Sequence, residues 1–164
     1  MKKTIVVYGS STGTCQAIAN TIASKLGTEA IDVAKLEPAH LQEAENLLLG
    51  TSTWGAGELQ DDWYDGIAKL READLNGKTV ALFGCGDAEV YGDTFCGGMA
   101  ELYNAVKNNG VKIIGQVSTE GYSFNDSEAV IGGQFIGLVL DDINESHLTE
   151  QRIEAWTTQL KPML

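Results

Sequence analysis

The segment Gly9-Ser10-Ser11-Thr12-Gly13-Thr14-Cys15 sets four hydroxyls between an apolar run ending at Tyr8 and a helical pattern opening near Ala17. Such a loop can bind phosphate, because free N–H groups at a helix start face an anion and hydroxyls add short hydrogen bonds. It lacks the GK[ST] of a P-loop and the GxGxxG of a dinucleotide turn, which disfavours nucleoside triphosphates and dinucleotides. It holds no Lys or Arg, so neutral donors alone would bind the phosphate. The bland alternative is a capped helix behind a polar loop. A second segment, Thr51-Ser52-Thr53-Trp54-Gly55-Ala56-Gly57-Glu58-Leu59, puts a Trp at the exit of a buried run, with glycines following. A third, Gly84-Cys85-Gly86-Asp87-Ala88-Glu89-Val90-Tyr91-Gly92-Asp93, carries Tyr91. These could be a core Trp over a sheet end and a solvated turn. They could equally be aromatic walls for a flat ligand, with glycines allowing close backbone approach. Two aromatics and one phosphate loop on the same edge suit a phosphorylated planar cofactor.

The elements that position these loops follow from the apolar pattern. Ile5 to Tyr8, Leu47 to Leu49, Val80 to Phe83 and Val111 to Val117 read as strands buried on both faces, with Ala30 to Val33 a weaker fifth. Helical spacing runs from Ala17 to Leu26 and stops at Gly27. It recurs at Leu41 to Ala44 behind Pro38, at Trp63, Ile67 and Leu70, and at Met99 to Val106 ahead of Asn109-Gly110. The last instance is Ile153, Trp156 and Leu160, with Thr149 the expected N-cap. Alternating strands and helices imply βαβ units, a parallel sheet and helices on both faces. In such a sheet the strand ends and helix starts share one edge, where ligands bind. The stretch Glu120 to Ser127 fits no minimal five-strand plan. It reads as a polar excursion interrupting the last strand, which resumes at Phe135 to Leu140.

The chain has 164 residues, a size for one domain with a real core, expected to span 1–164. No apolar run approaches a membrane span, and the apolar start is too short for a signal peptide, so a cytoplasmic protein is expected. Cys15, Cys85 and Cys96 form no CxxC pair, and His40 and His147 lie far from them in sequence, so reduced thiols and no metal site are expected. The net charge of −12 argues against nucleic-acid binding. No Lys or Arg lies between Lys35 and Lys69, Lys78 and Lys107, or Lys112 and Arg152. Basic residues fall mostly at strand starts and late in helices, so the ligand edge should be negative.

Together the three segments resemble a flavodoxin, and the resemblance covers essentially the whole chain. The first loop is similar to the family's [T/S]-x-T-G-x-T phosphate loop. Thr53 to Gln60 resembles its first flavin loop and Gly84 to Tyr91 its second. Gly121-Tyr122-Ser123-Phe124-Asn125-Asp126-Ser127 resembles the insert of the long-chain subgroup. The resemblance implies an α/β fold: a three-layer, doubly wound, five-stranded parallel sheet of order 2-1-3-4-5, its last strand interrupted by an insert, with FMN at the switch point.

Position by position, the resemblance implies that Ser10, Thr12 and the backbone of Ser11, Gly13, Thr14 and Cys15 hold the FMN phosphate. Trp54 and Tyr91 would flank the isoalloxazine, Tyr91 the more coplanar. Backbone groups of Gly55, Gly57, Cys85, Gly86 and Asp87 would meet its polar edge, with Ala56 in the same loop. Thr53, Thr94 and Cys96 would make lesser ring and ribityl contacts. In the family a peptide after the Trp turns over on one-electron reduction, which assigns Gly55 as the switch. Two positions depart from the pattern. Cys15 stands where the family usually has Thr, and a thiol is a poor hydrogen-bond partner. Ile143 stands where long-chain relatives often have an Asp near the ribityl chain.

The implied function is low-potential one-electron transport between redox enzymes by non-covalently bound FMN. The cofactor supplies the redox chemistry, so no catalytic residue is assigned and the protein is read as a carrier, not an enzyme. Glu58, Asp61, Asp62, Asp65, Asp87, Glu89 and Asp93 lie near the expected site and would oppose an anionic reduced flavin, making semiquinone/hydroquinone the working couple. Partners would be reductases and oxidoreductases with basic docking patches, met by a monomer without nucleic acid or membrane. An FMN-dependent quinone or azo reductase needs room above the flavin, which Trp54 and Tyr91 would close. A phosphoacceptor module of the same topology wants acidic residues where this chain has Gly9-Ser10 and Thr51-Ser52. A flavin-free interaction protein remains as a third alternative.

Overall fold

A computed structural model describes residues 1–54 and 57–164. Its elements in chain order are β1 (Thr4–Gly9), α1 (Thr14–Leu26), β2 (Glu29–Asp32), α2 (Pro38–Glu43), β3 (Asn46–Trp54), β4 (Glu58–Leu59), α3 (Trp63–Glu72), β5 (Thr79–Cys85) and α4 (Gly98–Val106). There follow β6 (Lys112–Ile114), β7 (Val117–Ser118), β8 (Val130–Ile131), β9 (Gln134–Phe135), β10 (Leu138–Leu140) and α5 (Ser146–Leu160).

The central sheet is parallel, in the order β2-β1-β3-β5. Two short strands complete it beside β5. β6 pairs with its first half, from Thr79↔Lys112 to Ala81↔Ile114, and β10 with its second, from Phe83↔Leu138 to Cys85↔Leu140. They are the two halves of one interrupted fifth strand, giving the expected order 2-1-3-4-5. The chain re-enters the sheet at Gly137, where a Cβ would collide with the Leu82 carbonyl, so only glycine allows that approach.

Side chains alternate across the strands as the pleat requires. Val6, Tyr8, Leu48, Ala81 and Phe83 face one layer with Ile18, Ile22, Ile153 and Trp156 of α1 and α5. Ile5, Val7, Leu47, Leu49, Val80 and Leu82 face the other, with Leu41, Ile67, Leu70, Met99 and Leu102 of α2, α3 and α4. Helices on both faces bury every central strand, which is why the strands read as continuous apolar runs.

Three local expectations are corrected. Val111 to Val117 is not one strand. The chain bends at Gly115, φ +84°, whose carbonyl accepts the Trp156 Nε1 hydrogen bond at 2.9 Å, and β7 leaves the central sheet. β7, β9 and β8 form a separate antiparallel sheet, so Phe135 belongs to that sheet and the returning strand is only Leu138–Leu140. The excursion is therefore structured. Its Tyr122 and Phe124 pack on Phe135, at ring separations of 4.9 and 5.3 Å. Thr149 does not cap α5. The helix starts one turn earlier, because the Asp141 carboxylate accepts the Asn144 N–H and the Asp141 carbonyl accepts the Glu145 N–H. Thr149 instead donates to Asp142 Oδ1 at 2.8 Å.

Candidate functional site

The first loop leaves β1 at the carboxyl edge of the sheet. Gly13 adopts φ +92°, and its N–H donates to Ser10 Oγ at 3.1 Å, which turns the chain into α1. The first bond of the helix is Ala17 N–H to Gly13 O at 3.0 Å. The opening N–H groups of α1 have no intrahelical partner, no side chain caps them and no acidic residue sits in the first turn. Ser11, Thr12 and Gly13 are exposed beside them. A cluster of neutral donors on the positive end of a helix fits a phosphate dianion without a cation. The donor set therefore fits the phosphorylated cofactor that the sequence implies.

The Cys15 side chain takes no part in this cluster. It is 1% exposed and packed under α1 with Cys85. A hydrogen bond with the Cys85 thiol, and then burial, hold its own thiol well above the usual range. Cys15 stands where the family usually has Thr, but α1 turns its side chain toward the sheet and away from the loop, which leaves only its backbone for the role assigned from sequence.

β3 runs past the sheet edge and doubles back into β4, pairing Thr53 with Leu59 and Trp54 with Glu58. Gly55 and Ala56, and with them the expected peptide switch, lie outside the described residues. Trp54 is 41% exposed, and its Nε1 donates to Ser52 Oγ at 2.9 Å. Thr53 Oγ1 accepts the Gly98 N–H at 3.2 Å, which seats this hairpin on the start of α4.

The third loop leaves β5 at Cys85. Asp87 Oδ1 accepts the N–H groups of Glu89 and Val90 at 3.1 and 3.0 Å, and the Asp87 carbonyl accepts that of Tyr91 at 2.9 Å. The Val90 N–H and then the Asn144 amide lower the Asp87 carboxyl below its ordinary range. Tyr91 is 52% exposed. Cys96 holds a left-handed backbone, φ +52°, and burial pushes its thiol well up. The excursion braces this loop from behind: Asn125 and Asp126 N–H groups both donate to Gly92 O at 2.9 Å, and Phe95 stacks on Phe124 at 5.7 Å.

These loops meet around one cleft of about 170 Å³. Of the residues assigned from sequence, Thr12, Thr14, Thr53, Trp54, Cys85, Gly86, Asp87, Tyr91, Thr94 and Cys96 line it. Ser10, Ser11, Gly13, Cys15 and Gly57 belong to the same loops without lining it. Ser52, Phe95, Asp142 and Ile143 line it and were not assigned. The last two follow β10, whose Leu140 pairs with Cys85. Once the returning strand is placed, the edge rule that singles out the other loops also singles out theirs. Gln60 was missed as well. It is buried, and its Nε2 donates to Ser11 Oγ and to Asp62 Oδ2, both at 3.0 Å.

Among the described residues, no basic side chain lines the cleft. Glu58, Asp61, Asp62, Asp65, Glu89 and Asp93 are exposed on the surrounding loops and on α3, and none of them is in a salt bridge among the described residues. No described helix is long and apolar enough to cross a membrane.

The family profile named Flavodoxin matches residues 6–156. A flavodoxin of Nostoc sp. is 40% identical over 163 residues, covering 98% of this chain and 96% of that protein. A flavodoxin of Helicobacter pylori is 39% identical over 162 residues, covering 98% of each. The crystal structure of Fusobacterium nucleatum flavodoxin bound to flavin mononucleotide superposes with a TM-score of 0.94 at 35% identity, covering 100% of this chain and 99% of that one. With an uncapped helix start beside a cleft lined by two aromatics, and this likeness along the whole chain, the protein belongs to the flavodoxin family.

Proposed function

We propose that residues 1–164 form a single long-chain flavodoxin domain that holds FMN non-covalently in this cleft and carries single electrons between redox enzymes. One observation carries the reading: the uncapped start of α1 opens beside a cleft that Trp54 and Tyr91 both line. The long-chain assignment is supported by the excursion between β6 and β10, which splits the fifth strand and braces the Tyr91 loop.

FMN, when bound, accepts and releases electrons one at a time. The chain's own residues do the rest. Backbone N–H groups from Ser11 to Cys15, with the hydroxyls of Ser10, Thr12 and Thr14, hold the phosphate. Trp54 and Tyr91 wall the ring and exclude water. Backbone groups of Gly57, Cys85, Gly86 and Asp87 meet its polar edge, with Gly55 and Ala56 completing that loop. Thr53, Thr94 and Cys96 make the remaining contacts. The exposed carboxylates around the cleft oppose added negative charge. Two like charges about 10 Å apart repel by roughly 0.4–1.7 kcal/mol, depending on solvent screening, and several act together here. These carboxylates would therefore disfavour extra negative charge on a bound flavin, which suits a low-potential carrier.

The same carboxylates form the docking face. The carrier is a cytoplasmic monomer, and its partners are reductases and oxidoreductases with basic patches around their own cofactors. The test is electron relay. The FMN-loaded protein should pass electrons from an NADPH-dependent flavoprotein reductase to a haem protein, and should not turn over NADPH with a quinone alone. Direct NADPH–quinone turnover by the pure protein would favour the reductase alternative.

A further inference from the structure

We infer that Asn144 is a positioning residue for the cofactor, its side-chain amide clamping the Tyr91 loop to the segment after β10 by bridging the carboxylates of Asp87 and Asp141. The inference rests on the proposed placement of FMN against Tyr91. Asn144 Nδ2 lies 2.8 Å from Asp87 Oδ1, and 3.2 and 2.9 Å from the two oxygens of Asp141. Asp141 is 1% exposed, and among the described residues neither carboxylate is in a salt bridge. Its other partners are N–H groups, of Asn144 at 3.0 Å and of Ala88 at 3.1 Å. Two carboxylates this close to one atom would repel unless a donor stood between them. The –NH₂ of an amide supplies one proton to each side, and an amide oxygen facing either carboxylate would add to the repulsion, so the side chain has one permitted orientation.

The clamp reaches the cleft on both sides. Asp87 is the residue around which Glu89, Val90 and Tyr91 turn, so fixing its carboxylate fixes Tyr91. Asp142 and Ile143, directly before Asn144, line the cleft themselves. The charged and titratable groups around the amide are almost all acidic. Asp87 and Glu89 face it from the loop after β5, and Asp141, Asp142, Glu145 and His147 come from its own segment and α5. Arg152, the cation of α5 paired with Glu145 among the described residues, is committed to it at 3.3 Å and lies over Tyr122 of the excursion. A neutral donor at position 144 thus bridges two carboxylates that, among the described residues, no Lys or Arg pairs with.

The isosteric Asn144→Asp keeps the shape and replaces the donor with a third carboxylate. FMN affinity of the apoprotein, read by quenching of flavin fluorescence, should fall at least tenfold against wild type at pH 8. The deficit should shrink below threefold at pH 5.5, because clustered carboxylates share a proton that restores the bridge. Asp87→Asn with Asn144→Asp returns a donor–acceptor pair between the loops and should bind at least threefold tighter than Asn144→Asp alone. A pH-independent deficit, or no recovery in the double variant, would overturn the inference and leave Asn144 a residue of the α5 start only. If Asn144→Asp fails to fold by circular dichroism, Asn144→Ala decides: affinity reduced threefold or more supports the clamp, and affinity within twofold of wild type overturns it. Tyr91→Ala is measured alongside. If it leaves affinity unchanged, the cofactor placement fails and takes the inference with it; if it weakens binding while the Asn144 variants do not, the inference alone fails.

Discussion

Gln60 Nε2 donates to Ser11 Oγ at 3.0 Å and so ties the loop between β1 and α1 to the β3–β4 hairpin across 49 residues of sequence. The same side chain accepts the Asp62 N–H through Oε1 at 3.0 Å, and its backbone N–H donates to Thr51 Oγ1 at 3.2 Å. Gln60→Glu would remove the donor and place a charge beside the phosphate site. FMN affinity should fall by about tenfold or more, because a carboxylate near a phosphate dianion repels it, less screened the more it is buried. Riboflavin, which lacks the phosphate, should lose less. Equal losses for the two ligands in parallel fluorescence titrations would detach Gln60 from the phosphate loop.

Cys15→Thr should leave FMN affinity within about twofold, because the sulfur lies under α1 and away from the loop. Its cost should appear in the fold instead. A hydroxyl placed in the buried Cys85 contact costs roughly 1–3 kcal/mol when poorly partnered. At about 2–4 °C per kcal/mol for a domain of this size, the apoprotein midpoint should drop by roughly 2–12 °C. Tighter FMN binding with an unchanged midpoint would return the Cys15 side chain to the phosphate site.

The four central strands β2, β1, β3 and β5, the loops at their ends and the helix faces are readable because their apolar periods are long and the edge rule is geometric. The excursion is not. Tyr122, Phe124 and Phe135 are spread over polar sequence, and their contacts with one another and with Phe95 arise only when β7, β8 and β9 pair. Gln60, Asp141 and Asn144 escaped for a related reason. They touch no expected ligand atom by motif, and their roles depend on hydrogen bonds between segments distant in sequence. Cys15 shows the limit of matching by position, since a motif fixes where a residue falls and the helix phase fixes where its side chain points.

Tyr122 gives the excursion a signature in alkaline unfolding. Burial raises its phenol to about 12, while its hydroxyl donates to Val139 O at 2.7 Å. Between about pH 10, the unfolded value, and 12, the folded state keeps a proton that the unfolded state has lost. Stability should therefore fall as pH rises across that window, by about 1.4 kcal/mol per unit for this group. Tyr122→Phe should be less stable at pH 7 and show a shallower loss from pH 10 to 12. An identical slope in urea titrations of both proteins would place the phenol in solvent.

Electron transfer to a basic redox partner should slow as ionic strength rises, because screening shortens to about 8 Å at physiological salt. Replacing Asp61, Asp62 and Asp65 by Asn should flatten that dependence. Replacing Glu29, Glu45 and Glu72, which lie toward the opposite edge of the sheet, by Gln should flatten it less. Equal effects would mean that net charge alone governs encounter and that no docking face exists.

The central claim is that this cleft holds FMN by its phosphate and its ring. Titrating the apoprotein in parallel with FMN, riboflavin and FAD, and following the quenching of flavin fluorescence, tests it most directly. One FMN per chain should bind, with riboflavin and FAD each at least tenfold weaker. Equal affinity for FMN and riboflavin, or no quenching by any flavin, would contradict it.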